Sequence, residues 1–167
     1  MAHIYAKRFS DELMTAFGRF IVQWATFETQ MAFLFSEFID GPAQRAHMIF
    51  YTTAGFGGKR DLLYAVIADS FFTEPSQELV AILNEAEPLG SLRNDLVHGH
   101  WQSKTKKEAA VWVSKPRSKQ RSYSVNFEVD DLEQWTAAVA ELTSKLEDLD
   151  VKSLTRRRKH RPKNPRN

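Results

Sequence analysis

From Phe17 onward the chain places an apolar side chain at every third or fourth position: Phe17, Phe20, Trp24, Phe27, Met31, Leu34 and Phe38. That spacing draws one continuous stripe along an α-helix, whose turn holds 3.6 residues. Ser10 followed by Asp11 and Glu12 marks the start, a hydroxyl cap with acids in the first turn, and Gly41-Pro42 marks the stop. Ile21, Phe33, Phe35 and Ile39 widen the stripe. A long helix that is apolar on several sides needs cover from more than one direction, so it is the centre of a bundle or is shared with a second subunit.

Pro42 suits the first turn of a second helix that runs through Met48, Ile49 and Phe50 before the segment TTAGFGG interrupts it. Lys59 to Phe71 resumes the helical period with Leu62, Leu63, Val66 and Ile67. Pro75 opens a further helix carrying Leu79, Ile82, Ala86, Leu89, Leu92 and Leu96, in which Pro88 is expected to kink or split the rod. It ends at His98-Gly99, where glycine suits a C-terminal cap. Beyond Trp101 the period changes: Ala109 to Val113 and Tyr123 to Val129 have strand length and flank a polar stretch, which predicts a β-hairpin over about 109–129. Asp130-Asp131 then starts a last helix with Leu132, Trp135, Val139, Leu142, Leu146 and Leu149. The predicted fold class is all-α in the main, a four- to five-helix bundle with an inserted hairpin, in a single domain over residues 1–154.

Charge adds a second part. Residues 155–167, TRRRKHRPKNPRN, hold seven Lys or Arg and no acid. Subtracting those seven from 23 Lys and Arg leaves 16 against 21 Asp and Glu, so the body carries −5 and the tail +7 beneath a net charge of +2. A like-charged segment with two prolines and nothing apolar is expected to be disordered. Its Arg156, Arg157, Arg158 and Lys159 suit contact with RNA, and a tail that only aids solubility has the same composition.

With 43% hydrophobic and 26% charged residues the body is of ordinary globular composition, which excludes a wholly disordered or fibrous chain. No cysteine is present, so thiol nucleophiles, disulfides and cysteine metal sites are excluded. His3, His47 and His160 give no second ligand pair to join His98 and His100, and no metal is expected. No apolar run approaches the 18 or so residues of a membrane span, and none forms a signal-peptide core, so a cytoplasmic protein without a membrane partner is expected.

The chemistry concentrates in Ser91-Leu92-Arg93-Asn94-Asp95-Leu96-Val97-His98-Gly99-His100-Trp101. Arg93 shares the helical phase of Leu79, Ile82, Ala86, Leu89 and Leu96, which puts a cation where an apolar side chain would pack. Asn94 and His98 stand at i and i+4 on one face, whereas Arg93 and His98 are about 140° apart unless the last turn unwinds. Histidine is suited to proton transfer near neutral pH, and the arginine fork matches two phosphate oxygens. Together they suit RNA cleavage by attack of its own 2′-hydroxyl, with Asn94 orienting His98 or holding the phosphate. The plain structural alternative has His98 bonding the last helical carbonyls and Arg93 pairing with Glu28 or Asp95.

R-N-D-L-V-H resembles the R-x4-6-H motif of the HEPN domains, in which a polar residue follows the Arg near the end of a helix in a small bundle. The helix order agrees, as do Trp24 and Glu28 in the arrangement W-x3-E, and the resemblance covers roughly residues 10–150. It implies a homodimer with one composite cleft and a metal-independent endoribonuclease, a toxin or phage-defence component, with Arg93, Asn94 and His98 as active residues. No cofactor is implied. Family toxins paired with a nucleotidyltransferase antitoxin carry a Tyr two residues after the motif His, which that partner modifies with AMP; His100 stands there instead. Other members are non-catalytic modules that bind RNA, a nucleotide or a protein partner, which is the alternative reading.

Two further sets of residues suit RNA contact. Gly55 to Gly58 lead into Lys59 and Arg60 at a helix start, where free backbone N–H groups favour anions, although Arg60 and Thr53 stand where a P-loop needs hydroxyl and glycine. Trp101, Trp112 and Tyr123 are interleaved with Lys104, Lys106, Lys107, Lys115, Arg117, Lys119 and Arg121 about the hairpin, a composition that fits a nucleic-acid track or a solvated tip equally.

Overall fold

A computed structural model describes residues 9–71, 75–105, 107–114 and 122–149. The tail cations Arg156, Arg157, Arg158 and Lys159, and Lys106, Lys115, Arg117, Lys119 and Arg121 of the hairpin, lie outside the described residues. The chain forms α1 (Asp11–Ser36), α2 (Ala43–Thr52), α3 (Gly55–Phe71), α4 (Gln77–His98), β1 (His100–Ser103), β2 (Glu108–Ser114), β3 (Ser122–Glu128) and α5 (Val129–Glu147). The fold is mainly helical with one small antiparallel sheet, as the periodicities predict.

Local chemistry accounts for the helix starts. The Ser10 Oγ accepts the Leu13 N–H at 3.1 Å, and the Ser76 Oγ accepts the Leu79 N–H at 3.2 Å, so both hydroxyls cap free donors of a first turn. Asp131 reaches back to accept the Glu128 N–H at 2.8 Å at the start of α5.

Four local expectations need correction. α1 stops at Ser36 rather than at Gly41, with Gly41 at φ +122 in the turn that follows, and Phe38 is nevertheless buried. α3 starts at Gly55, so the glycines read as an interruption form its first turn. α4 is one helix through Pro88 and is not split there, its packed residues on either side outweighing the lost bond and the crowding that the proline brings. Finally, the hairpin is a three-stranded sheet of order β1-β2-β3, the added strand being the four residues of β1.

So far as the described residues go, the chain falls into two compact units: one of Met1–Phe27 with Ala86–Leu142, the other of Glu28–Glu85 with Thr143–Asn167. In the first, the sheet turns Trp101, Val111, Val113, Tyr123 and Phe127 to one side. Trp101 packs edge-on against Phe17 at 4.8 Å and Phe127 at 5.1 Å between ring centres, and Trp135 lies 6.2 Å from both Phe20 and Phe127. In the second, Phe35 and Phe50 lie 5.7 Å apart, in a core that also buries Met31, Leu63, Ile67, Leu79 and Leu83. No helix among the described residues is long and apolar enough to cross a membrane.

Candidate active site

Arg93, Asn94 and His98 lie in the last two turns of α4, in the first unit. Leu79, Ile82, Ala86 and Leu96 of the shared phase are buried, and Arg93 is half-buried among them in sequence. Its Nη1 donates to the Asn94 Oδ1 at 2.9 Å, while its Nε is shielded from solvent and has no partner among the described residues. Neither carboxylate considered for it serves: Glu28 holds Lys59 and Asp95 receives Tyr123, and no carboxylate pairs with Arg93 among the described residues.

His98 is exposed and makes no hydrogen bond among the described residues, so the role of sealing helix carbonyls is not the one it plays. The last turn does not unwind. The Gly99 N–H donates to the Asp95 carbonyl at 2.8 Å, which keeps the helical geometry through His98 and leaves Arg93 and His98 about 140° apart within one chain.

The sheet fixes that helix end. The Trp101 indole N–H donates to the Leu96 carbonyl at 2.6 Å, and the Tyr123 hydroxyl donates to the buried Asp95 carboxylate. Gly99 lets the strands come close: a Cβ there would stand 2.1 Å from Val111 Cγ1 and 2.6 Å from the Asp95 carbonyl oxygen. Left-handed backbone plays no part in this, since the described glycines with positive φ are Gly41 and Gly55. Space, not a cap conformation, is what this glycine supplies.

The hairpin's composition groups Trp101, Trp112 and Tyr123 as candidates for stacking, but the register separates them. Trp101 and Tyr123 face inward, where they hold α4, and Trp112 faces out. Asp95 and Tyr123 are the supporting residues that the sequence did not mark as a pair, because their meeting depends on strand register.

The remaining candidates are dispersed. His100 is exposed at the start of β1, directly across from Trp112. Lys59 and Arg60 belong to the second unit. Lys59 is 7% exposed, its Nζ 2.9 Å from Glu28 Oε2 and 5.5 and 5.2 Å from the ring centres of Phe50 and Tyr51. Arg60 pairs with Asp61 at 3.2 Å.

Beside the helix end, Met14, Phe17, Ile21, Leu96, Val97 and Trp101 help to line an apolar hollow of about 380 Å³. Val97, between Leu96 and His98, is 42% exposed. Among the described residues no three His, Asp or Glu side chains gather closely enough to hold a metal ion. Compared with known proteins, the chain matches no family model, no curated protein and no solved structure.

Proposed function

We propose that the chain is a metal-independent endoribonuclease of HEPN type, acting as a homodimer. The carrying observation is Arg93: a half-buried guanidinium tied to Asn94, with a shielded, unpartnered Nε and no acid beside it among the described residues. A cation in that state lacks a counter-charge and keeps donors for one, and a phosphodiester supplies it. In the reaction His98 takes the proton of the ribose 2′-hydroxyl, the 2′-oxygen bonds to phosphorus, and the P–O5′ bond breaks. The departing 5′-oxygen takes a proton from the His98 imidazolium formed in the first step, leaving a 2′,3′-cyclic phosphate, a 5′-hydroxyl end and a neutral His98. Arg93 holds the phosphoryl oxygens as charge builds on them, and Asn94 fixes the guanidinium.

The same geometry supports the homodimeric reading. A regular last turn sends Arg93 and His98 of one chain to different sides of α4, so a cleft using both is served by Arg93 of one copy and His98 of the other. Exposed Met14 and Val97 beside the apolar hollow suit such a subunit contact.

The test is cleavage of mixed RNA in excess EDTA by the parent, Arg93→Ala and His98→Ala, with folding and mass verified for each. Loss of about 10²–10⁴-fold in both variants is expected. If none of the three cleaves while RNA is still bound, the chain is a non-catalytic RNA-binding module.

A further inference from the structure

The side of the sheet facing away from α4 carries one row of three directly paired residues: His100 of β1, Trp112 of β2 and Ser124 of β3. The next rows on that side are Gln102, Ala110 and Asn126, and then Ser114 and Ser122. All are exposed except Ala110, and the central Trp112 is 45% exposed. A large ring left open on a central strand, ringed by hydroxyl, amide and imidazole groups, offers a flat stacking surface with hydrogen-bonding neighbours. Unpaired bases are bound in this way, and a sealed duplex does not offer its base faces to such a surface.

Charge favours the same end of the sheet. The connection between Ser114 and Ser122 carries Lys115, Arg117, Lys119 and Arg121 and no acid in its sequence. At the opposite end the paired Glu108 and Glu128, followed by Asp130 and Asp131, share their place with Lys104 and Lys107 of the β1–β2 turn. The excess of positive charge that draws a polyanion is therefore on the Trp112 side. His100, the immediate neighbour of Trp112 across the strands, is two residues from His98.

We infer that this outer face binds single-stranded RNA, with one base stacked on Trp112 and His100, Ser124 and Asn126 positioned to hydrogen-bond around it. The inference rests on the reading of an RNA-cleaving site and names where its substrate is gripped. The proposed cleavage then falls on a strand whose neighbouring base is already fixed beside the helix end.

The experiment measures binding of a labelled oligoadenylate single strand and of an RNA duplex, at several salt concentrations, to the full chain bearing His98→Ala so that the strand stays intact. Against that background, adding Trp112→Ala is expected to weaken the single strand by about fivefold to a hundredfold, and Trp112→Phe by less than about threefold. The duplex is expected to bind more weakly and to be indifferent to either change. Unchanged single-strand affinity in a folded Trp112→Ala protein overturns the inference, as does equal loss for strand and duplex. A change in molecular mass without a change in affinity also overturns it, and identifies the face as a protein contact. Because no turnover is read, failure of the catalytic reading leaves these outcomes intact.

Discussion

Tyr123 of β3 donates its hydroxyl hydrogen to Asp95 of α4, joining the edge strand to the residue that follows Arg93 and Asn94. Asp95 is buried, so this donor takes over part of what water would supply to its carboxylate. Tyr123→Phe keeps the ring and removes the donor. We expect a loss of about 1–3 kcal/mol in urea unfolding, with little change in the unfolding slope. An unchanged midpoint would show that the bond contributes nothing.

Gly99→Ala is expected to destabilise more than its single methyl suggests. The new carbon would overlap Val111 Cγ1 and crowd the Asp95 carbonyl, so the strand or the last turn of α4 has to shift. About 1–3 kcal/mol is the usual range for overpacking, and this site should reach its upper end. Val111→Ala removes one of the two obstacles, so the double variant should lose less than the sum of the single losses. Strict additivity would mean that the two positions do not meet.

Lys59 and Glu28 form a nearly buried ion pair under aromatic cover. Glu28→Gln or Lys59→Met alone strands the partner's charge and should cost about 3–5 kcal/mol, the double variant distinctly less than the sum. Both residues lie inside the second unit, so Lys59→Met is expected to move the thermal midpoint and leave RNA affinity unchanged. A drop in affinity at constant stability would instead put Lys59 on the RNA.

Pro88→Ala should stabilise the chain. The proline is exposed inside a continuous helix, and alanine restores one backbone bond and the best helical propensity. The gain is expected to approach, and not exceed, about 3 kcal/mol in denaturant unfolding.

What the sequence made legible was local. Ser10 and the Asp130-Asp131 pair announce helix starts because a cap acts over three residues, and the stripe from Phe17 to Phe38 announces a buried face because burial follows the helical period. The glycines at 55, 57 and 58 misled, since each weighs against a helix by about 1 kcal/mol and tertiary packing overrides such sums. β1 escaped notice because four residues with three exposed show no alternation. Gly99 was placed at the right boundary for a different reason, as its need for space comes from Val111 on a strand whose position no local pattern reveals. At the candidate site, the residues of the RNDLVH motif could be read from the sequence, but their pairings could not. Arg93 might equally have met Glu28 or Asp95, and only the register of β3 and the place of Lys59 assign those acids elsewhere.

The order β1-β2-β3 has a consequence in time. Its strands are consecutive, and pairing Ser103 with Ala109 and Ser114 with Ser122 closes only short stretches of chain, so the sheet assembles with little loss of chain entropy and can do so early. Trp101 and Tyr123 then present a finished surface on which the last turn of α4 settles. Refolding should therefore complete the meander before the last turn of α4, with Arg93 and His98, is fixed against it.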